Sequence, residues 1–156
     1  MVTGTSGCVF CGIVAGRLPS RRILEDEHTV AFLDIRPAAP GHTLVVPREH
    51  VRDLWDVSAT VHGQVAAMVH RVAGLLATAL TPDGINVKHN SGSAAGQDVF
   101  HFHTHVVPRW QHDGLDLTWR SPRASPDRLD DVLKRIRRAT EPDQALRVST
   151  MNAHPH

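Results

Sequence analysis

The chain has 156 residues, enough for one domain with a full core and too few for two. Its formal net charge of +1 gives no electrostatic reason to expect a nucleic acid or a membrane as partner. No apolar run approaches the ~20 residues that span a bilayer, and residues 1–7 lack the features of a secretion signal. We therefore expect a cytoplasmic protein whose two cysteines are thiols or metal ligands.

Those cysteines, Cys8 and Cys11, have the spacing of half a zinc site. Two small buried hydrophobes and a redox pair are the alternatives, and the spacing alone leaves all three open. Residues 8–15 are predicted to form a short helix that ends at Gly16.

Three β-rich segments follow, and they predict strands over residues 22–25, 28–33 and 42–47. Read alone, Asp34 is a turn residue before Pro37, and His42 is a strand-start histidine with no assignable role. Four apolar side chains in this part of the chain read as core: Phe10, Ile13, Phe32 and Ile35.

A long helix is predicted to begin after the N-cap Ser58 and to run to Leu80, because apolar residues recur at helical spacing. We expect its apolar stripe to be core and to extend into a dimer contact. Residues 82–84 contain Pro and Gly and end it, and residues 84–90 alternate as a fourth strand.

Residues 90–98 form a Gly/Ser loop, a type that exposes backbone N–H groups and binds phosphates, although alone it is also an ordinary connection. It leads into His101, His103 and His105, which alternate along a predicted strand and so share one face about 6.5 Å apart. Three imidazoles suit an apolar core poorly, because each ring nitrogen needs a partner. The outer pair lies about 13 Å apart, too far for one metal ion, so the three histidines should have separate roles.

Beyond the histidines, residues 115–119 are a candidate strand. Ser125 and Pro126 should cap a basic amphipathic helix that runs to about residue 139. The polar, aperiodic residues 141–156 are predicted to be disordered.

The run His101-Phe102-His103-Thr104-His105-Val106-Val107, preceded by Gly96-Gln97, resembles the signature of the histidine triad (HIT) nucleotide hydrolases and transferases. Thr104 departs from the family's apolar residue. The resemblance extends from Cys8 to about Arg109. It implies an α+β fold: a single HIT domain over residues 1–140 with an antiparallel sheet of about five strands, a long and a short helix, a C-terminal helical extension, and a homodimer.

The resemblance also implies residue roles. The catalytic set would be the nucleophile His103, His105 to bind and protonate, His42 to support His105, and Gln97 to stabilise charge. The nucleotide-binding set would be Phe10, Ile13, Phe32 and Ile35 at the base, Asp34 at the ribose, and Asn90, Gly96, Gln97, Asp98, Val99, His103 and His105 at the phosphate. A structural zinc ion would be bound by Cys8, Cys11, His50 and His101.

The reaction that the resemblance implies is attack of His103 on the α-phosphorus of a purine nucleotide conjugate, followed by hydrolysis of the nucleotidyl-histidine. A backbone carbonyl that accepts from the inner nitrogen of His103 would fix the reactive tautomer. Asp98 is unusual, because the best-known family members carry serine or threonine there. A dinucleoside polyphosphate hydrolase, a nucleotide-binding regulatory module with residual activity, and a metalloenzyme with histidine ligands remain alternatives.

Overall fold

The structure, a computed structural model, describes residues 7–116 and 122–140. Its strands are β1 Arg22–Glu25, β2 Thr29–Leu33, β3 Thr43–Pro47, β4 Gly84–His89 and β5 Thr104–Arg109, and its α-helices are α1 Val9–Val14, α2 Ala59–Leu80 and α3 Pro126–Arg138. The strands form one antiparallel sheet in the order β1-β2-β3-β5-β4. The predicted α+β fold is confirmed.

The alternation of side chains along the central strands divides the core into two layers. On one face, Ala31, Val45 and Val106 pack with the buried side of α2 and with α3. On the other face, Phe32 and Leu44 pack with α1. The histidine row lies on this second face, because His105 is directly opposite Leu44 in the β3–β5 ladder.

Helix α2 begins where the sequence predicts, since the Ser58 hydroxyl accepts from the Val61 N–H at 3.2 Å. One side of the helix is buried in the core: Val65, Met68, Val72, Leu76 and Leu80. By length and composition alone α2 is long and apolar enough to cross a membrane. One such helix is weak evidence, because the core helix of a soluble protein passes the same test.

Strand β5 begins at Thr104, three residues later than the sequence pattern indicates. The reason is that the backbone has a different hydrogen-bond partner before Thr104. The Phe102 N–H donates to the Val51 carbonyl at 2.7 Å, whereas the ladder with β3 starts at the Val45–Thr104 pair. The alternation of faces still extends back to His101, which is fully buried.

The turn into β3 requires glycine at position 41. Gly41 has a φ of 85°, and a Cβ there would collide with the Leu80 side chain. This close approach sets the end of α2 against the start of β3, which carries His42.

The three predictions for the C-terminal part have different outcomes. Leu115 and Asp116 are irregular, and the rest of the candidate strand lies outside the described residues. Helix α3 is present, with the Ser125 hydroxyl accepting from the Arg128 N–H at 3.4 Å. The tail 141–156 also lies outside the described residues.

Candidate active site and metal cluster

The three alternating histidines form a continuous row of rings beside α1. His101 and His103 are 0% and 3% exposed, and His105 is half-buried. The rings of His103 and His105 lie 5.1 Å apart, and Phe10 of α1 presents an edge to His103 at 5.2 Å. The row therefore has a buried end at His101 and an open end at His105.

The backbone fixes the tautomer of His103. Its Nδ1–H donates to the His101 carbonyl at 2.7 Å, so Nε2 carries the lone pair. Burial lowers the pKa of His103 below the usual histidine value, although the carboxylates of Asp98 and Asp34 act in the opposite direction. At neutral pH His103 is thus a neutral imidazole with a nucleophilic nitrogen, as the sequence argument required.

A second chain of hydrogen bonds fixes the tautomer of His105, which is the opposite of that of His103. The Ala38 N–H donates to His42 Nδ1 at 3.0 Å, so the proton of His42 resides on Nε2. That Nε2 lies 2.9 Å from His105 Nδ1 and donates to it. His105 consequently carries its own proton on Nε2 and can donate to a bound oxygen. Burial, with His42 as the next cause, lowers the pKa of His105 to about 3, so this donor is a neutral imidazole.

Asp34 approaches the same pair, with Oδ2 at 3.6 Å from His42 Nε2. By distance alone Asp34, His42 and His105 form a cluster that could hold a metal ion. The Ala38 hydrogen bond disfavours that use, because it leaves the proton of His42 on the nitrogen that would have to coordinate. The cluster is better described as a proton-ordered hydrogen-bond chain.

His89 of β4 supports the backbone of His103, and sequence reasoning missed it. Its Nδ1–H donates to the His103 carbonyl at 2.7 Å, and its Nε2 accepts from the Ser91 hydroxyl at 2.7 Å. The ring also stacks on Phe102 at a centroid distance of 4.2 Å. The sequence signal that could have identified His89 was a polar residue near the end of the predicted fourth strand, just before the Gly/Ser loop.

The loop of residues 90–98 turns twice at positive φ, at Gly92 and Gly96, around the short 3₁₀ helix Ser93–Ala95. Gln97 is 4% exposed and is fully used in holding this loop. Its amide donates to the carbonyls of Arg52 and Val99 at 2.8 and 3.2 Å, and its oxygen accepts from the Gly92 N–H at 2.7 Å. Gln97 therefore sets the loop's shape, and the contact with phosphate predicted for it would require these bonds to break.

The other nucleotide-site candidates surround the histidines. Phe10, Ile13 and Phe32 belong to the apolar cluster under α1, with Val99 packed against it. Ile35 is 44% exposed. The remaining candidates lie at the rim, where Asn90 is half-buried and Gly96 and Asp98 are exposed. The histidines extend along the length of β3, because His105 is opposite Leu44 near its start and His101 donates to the carbonyl of Pro47 at its end.

Cys8, Cys11, His50 and His101 form a second cluster that could hold a metal ion. The His50 and His101 Nδ1 atoms are 3.3 Å apart, and Cys11 Sγ lies 3.2 and 3.5 Å from them. A tetrahedral zinc ion places two nitrogens about 3.3 Å apart, and a nitrogen and a sulfur about 3.6 Å apart, given its usual bond lengths. The distances between the ligand atoms therefore match a zinc tetrahedron.

The protonation states fit the same cluster. His101 Nε2–H donates to the Pro47 carbonyl at 2.9 Å, which leaves Nδ1 to coordinate. Burial lowers the pKa of His101 to about 4, so the ring is neutral. Burial and the neighbouring Cys8 raise the pKa of the Cys11 thiol to about 11, so two thiolates here need a cation beside them.

Comparisons with known proteins agree with this geometry. A family model described as HIT domain matches residues 15–112. Protein hit of Bacillus subtilis is 39% identical over 115 residues, covering 73% of this chain and 79% of that protein. An uncharacterized HIT-like protein of Mycobacterium tuberculosis is 41% identical over 122 residues, covering 78% of this chain and 85% of that protein.

Two solved structures extend the likeness to three dimensions. The crystal structure of a Zn-bound histidine triad family protein from Mycobacterium smegmatis has a TM-score of 0.78 and 43% identity, covering 87% of this chain and 94% of that chain. A hypothetical histidine triad nucleotide-binding protein from Sulfolobus tokodaii has a TM-score of 0.76 and 30% identity, covering 85% and 91%.

Proposed function

Because the chain belongs to the histidine triad (HIT) family, we propose that it is a nucleotide-binding hydrolase or nucleotidyl transferase acting on the α-phosphate of purine nucleotide conjugates. One observation carries this proposal. His103 offers a lone pair on Nε2, and its neighbour His105 offers a proton on Nε2. A nucleophile and a proton donor side by side are what displacement at phosphorus requires.

The proposed reaction has two steps. His103 Nε2 attacks the α-phosphorus, which leaves a positive charge on its ring, and the bond to the leaving group breaks. The leaving group takes the electron pair and the Nε2 proton of His105, and the negative charge left on His105 is stabilised by the His42 Nε2–H hydrogen bond and by the adjacent His103 ring. Water then attacks phosphorus, the bond to His103 breaks, and the water proton returns to His105. The Ala38–His42 chain holds His105 in the tautomer that donates first.

Nucleotide binding is assigned to the surrounding residues. The apolar cluster of Phe10, Ile13 and Phe32, with Ile35 at its rim, would pack on the base. Asp34 would accept from the ribose hydroxyls, because a carboxylate can take two hydrogen bonds from a diol. Asn90 and the loop at Gly96, Asp98 and Val99 would surround the phosphate.

We also propose that the cluster of Cys8, Cys11, His50 and His101 binds structural zinc. The neighbour from Mycobacterium smegmatis is a Zn-bound protein of this family, and the ligand-atom distances here match a zinc tetrahedron. Zinc would connect the start of α1 to the row of histidines. It would take no part in the chemistry, because four protein ligands fill a tetrahedral shell and leave no position for substrate.

A homodimer completes the proposal. The face of α2 turned away from the core exposes mainly small residues, among them Gly63, Ala67 and Gly74, and a Cβ on either glycine would meet nothing within 4 Å. A second copy could approach this face closely and across a two-fold axis. Light scattering should give twice the chain mass of 17.1 kDa for the native protein, and Ala67→Arg should give a monomer. Asp131→Arg on α3 is the matched control, and a monomeric native protein would refute the dimer.

The nucleophile is tested directly at His103. Rapid acid-free quenching of the native enzyme with a nucleotide phosphoramidate should trap a nucleotidyl adduct on His103, labile in acid. His103→Ala and His103→Asn should abolish turnover while nucleotide still binds, because loss of a nucleophile costs several orders of magnitude. His105→Ala should keep weak activity, reduced by about 10²–10³-fold.

His28→Ala, at an exposed turn histidine, is the control and should turn over like the native enzyme. The proposed mechanism is wrong if His103→Ala retains more than a few per cent of the native kcat, or if the adduct maps to another residue. Burst kinetics without further turnover would indicate a regulatory nucleotide-binding module instead.

A further inference from the structure

A cavity of about 500 Å³ opens beside the end of the Gly/Ser loop of residues 90–98, outside the base and ribose contacts proposed above. It is lined by Gly7, Cys8, Val9, His50, Arg52, Asp98, Val99 and Phe100. Its volume lies in the range of small-molecule sites. Asp98 and Val99 line this cavity and are also among the residues proposed above to surround the phosphate, so a group bonded to the α-phosphate on this side would enter the cavity.

Arg52 supplies the positive charge of the cavity, and its position is well defined. Its guanidinium carbon lies 5.0 Å from the ring centroid of Phe100, a cation–π arrangement. Its carbonyl accepts from the Gln97 amide at 2.8 Å, and its N–H donates to Asp56 at 2.7 Å. The side chain is 65% exposed, so the charge is held at the wall yet remains accessible.

The guanidinium still has donors for a ligand. Within residues 7–116 and 122–140 its one acidic contact is Asp53, which Nε approaches at 3.5 Å. The two terminal nitrogens form a fork that matches a carboxylate. Arg52 is therefore placed to bind an anionic group that has entered the cavity.

Asp98 restricts where that anionic group can be. Its carboxylate stands next to the phosphate loop, and it repels negative charge bonded directly to the α-phosphate. A polyphosphate leaving group brings such charge there. An amine leaving group does not, and a carboxylate carried further along that amine can reach Arg52 instead.

We propose that this cavity is the leaving-group subsite, and that Arg52 selects nucleotide phosphoramidates whose amine carries a carboxylate, as in conjugates of amino acids. The inference rests on the proposed function. As His103 Nε2 bonds to phosphorus, the phosphorus–nitrogen bond breaks, and the amino acid leaves with the electron pair and the proton donated by His105.

The test compares two conjugates of adenosine monophosphate, one linked to the amine of alanine and one to that of alaninamide. The native enzyme should favour the free acid by about tenfold in kcat/KM, the scale of a hydrogen-bonded charge pair. Arg52→Gln should bring that ratio close to one, and Arg52→Lys should preserve part of it. Arg71→Gln, at a half-exposed arginine paired with Asp26, is the matched control and should keep the native ratio.

Each other outcome overturns the inference. An equal ratio in the native enzyme and Arg52→Gln would show that Arg52 does not read the carboxylate. A native ratio of one or below, or better turnover of a dinucleoside polyphosphate, would assign the cavity to another leaving group and leave the His103 mechanism intact. If folded native enzyme cleaves neither conjugate, the proposed function fails and the inference fails with it.

Discussion

At the scale of single residues, the site depends on where protons reside, and the backbone decides that. The His101 carbonyl places the proton of His103 on Nδ1, and the Ala38 N–H, acting through His42, places that of His105 on Nε2. Neighbouring imidazoles of the same chemistry thereby differ, because His103 offers a lone pair on Nε2 where His105 offers an N–H. No charged partner is needed for this difference.

Asp98 is the residue at which this chain departs most from the family's usual chemistry. It is exposed and lies in the Gly/Ser loop of residues 90–98, which is proposed to surround the phosphate. An ionised carboxylate there cannot donate to the leaving group, and it repels phosphate. We predict that Asp98→Ser raises turnover of phosphoramidates, because a hydroxyl can donate and carries no charge. Steady-state kcat on one phosphoramidate measures this, with Asp131→Ser on α3 as the control. A tenfold decrease would identify Asp98 as an active acid.

The sequence predicted which histidines lie together better than it predicted the contacts of the residues around them. Spacing and the triad signature identified His103 and His105 with His42 beside them, and the structure brings all three together. Gln97 differs, because its amide donates to the carbonyl of Arg52, and no local pattern shows such a long-range partner. His89 was missed for the same reason, since its importance lies in a bond to the carbonyl of His103, which is distant in sequence.

At the scale of secondary structure, α1 is a six-residue helix with little stability of its own. Arg22 holds its C-terminal end, donating to the Ile13 carbonyl at 2.5 Å and to that of Val14 at 3.2 Å. Cys8 caps its N-terminal end, with the sulfur accepting from the Cys11 N–H at 3.4 Å. The proposed zinc ion would bind at that same end, so it would fix the helix that supplies Phe10 and Ile13.

The zinc site is tested by Cys8→Ser, which should lower both the zinc content and the melting temperature. Serine is itself a good N-cap, so a loss of stability would reflect the lost metal ligand and not a lost cap. Val9→Ser, at a neighbour that is 44% exposed, should keep its zinc. Metal analysis by mass spectrometry of protein purified without chelator, with thermal unfolding, provides both readouts. Less than half an equivalent of zinc in the native protein would contradict the site.

Element boundaries were predictable to within a few residues, because helical and strand periodicities are local properties of the sequence. The start of β5 was less predictable, since the Phe102 N–H donates to the carbonyl of Val51, which lies outside the strands predicted to flank it. The apolar stripe of α2 was assigned correctly to the core. The core assignment does not explain why the exposed face of α2 consists mainly of small residues.

At the scale of the whole molecule, one sheet separates two tasks. The face under α2 and α3 carries the larger apolar cluster and holds the fold together. The face under α1 carries a group of histidines: the buried His42, His101 and His103 and the half-buried His105. Burial lowers the pKa of both His42 and His105, that of His105 to about 3. Keeping them neutral serves the chemistry, and it also makes the fold sensitive to acid.

This sensitivity leads to a prediction for the free energy of unfolding. In the unfolded chain His42 and His105 should titrate near the ordinary pKa of about 6.5, so below that pH the unfolded state binds protons that the native state does not. Stability is therefore complete above about pH 6.5 and falls as the pH is lowered toward the native pKa values. The groups facing His105 reinforce this, because His42, His103, Lys88 and His89 all disfavour a charge on it.

His105→Asn isolates this effect, since its carbonyl can accept from His42 Nε2–H but does not titrate. Urea unfolding at pH 7.5, 6.5, 5.5 and 4.5, with zinc present throughout, should show a steeper loss of stability in the native protein than in His105→Asn. The metal site is common to both proteins, so its own acid sensitivity cancels in the comparison. A stability difference between the two that does not change with pH would mean that His105 binds protons equally in the native and unfolded states, and it would contradict the lowered pKa on which this prediction rests.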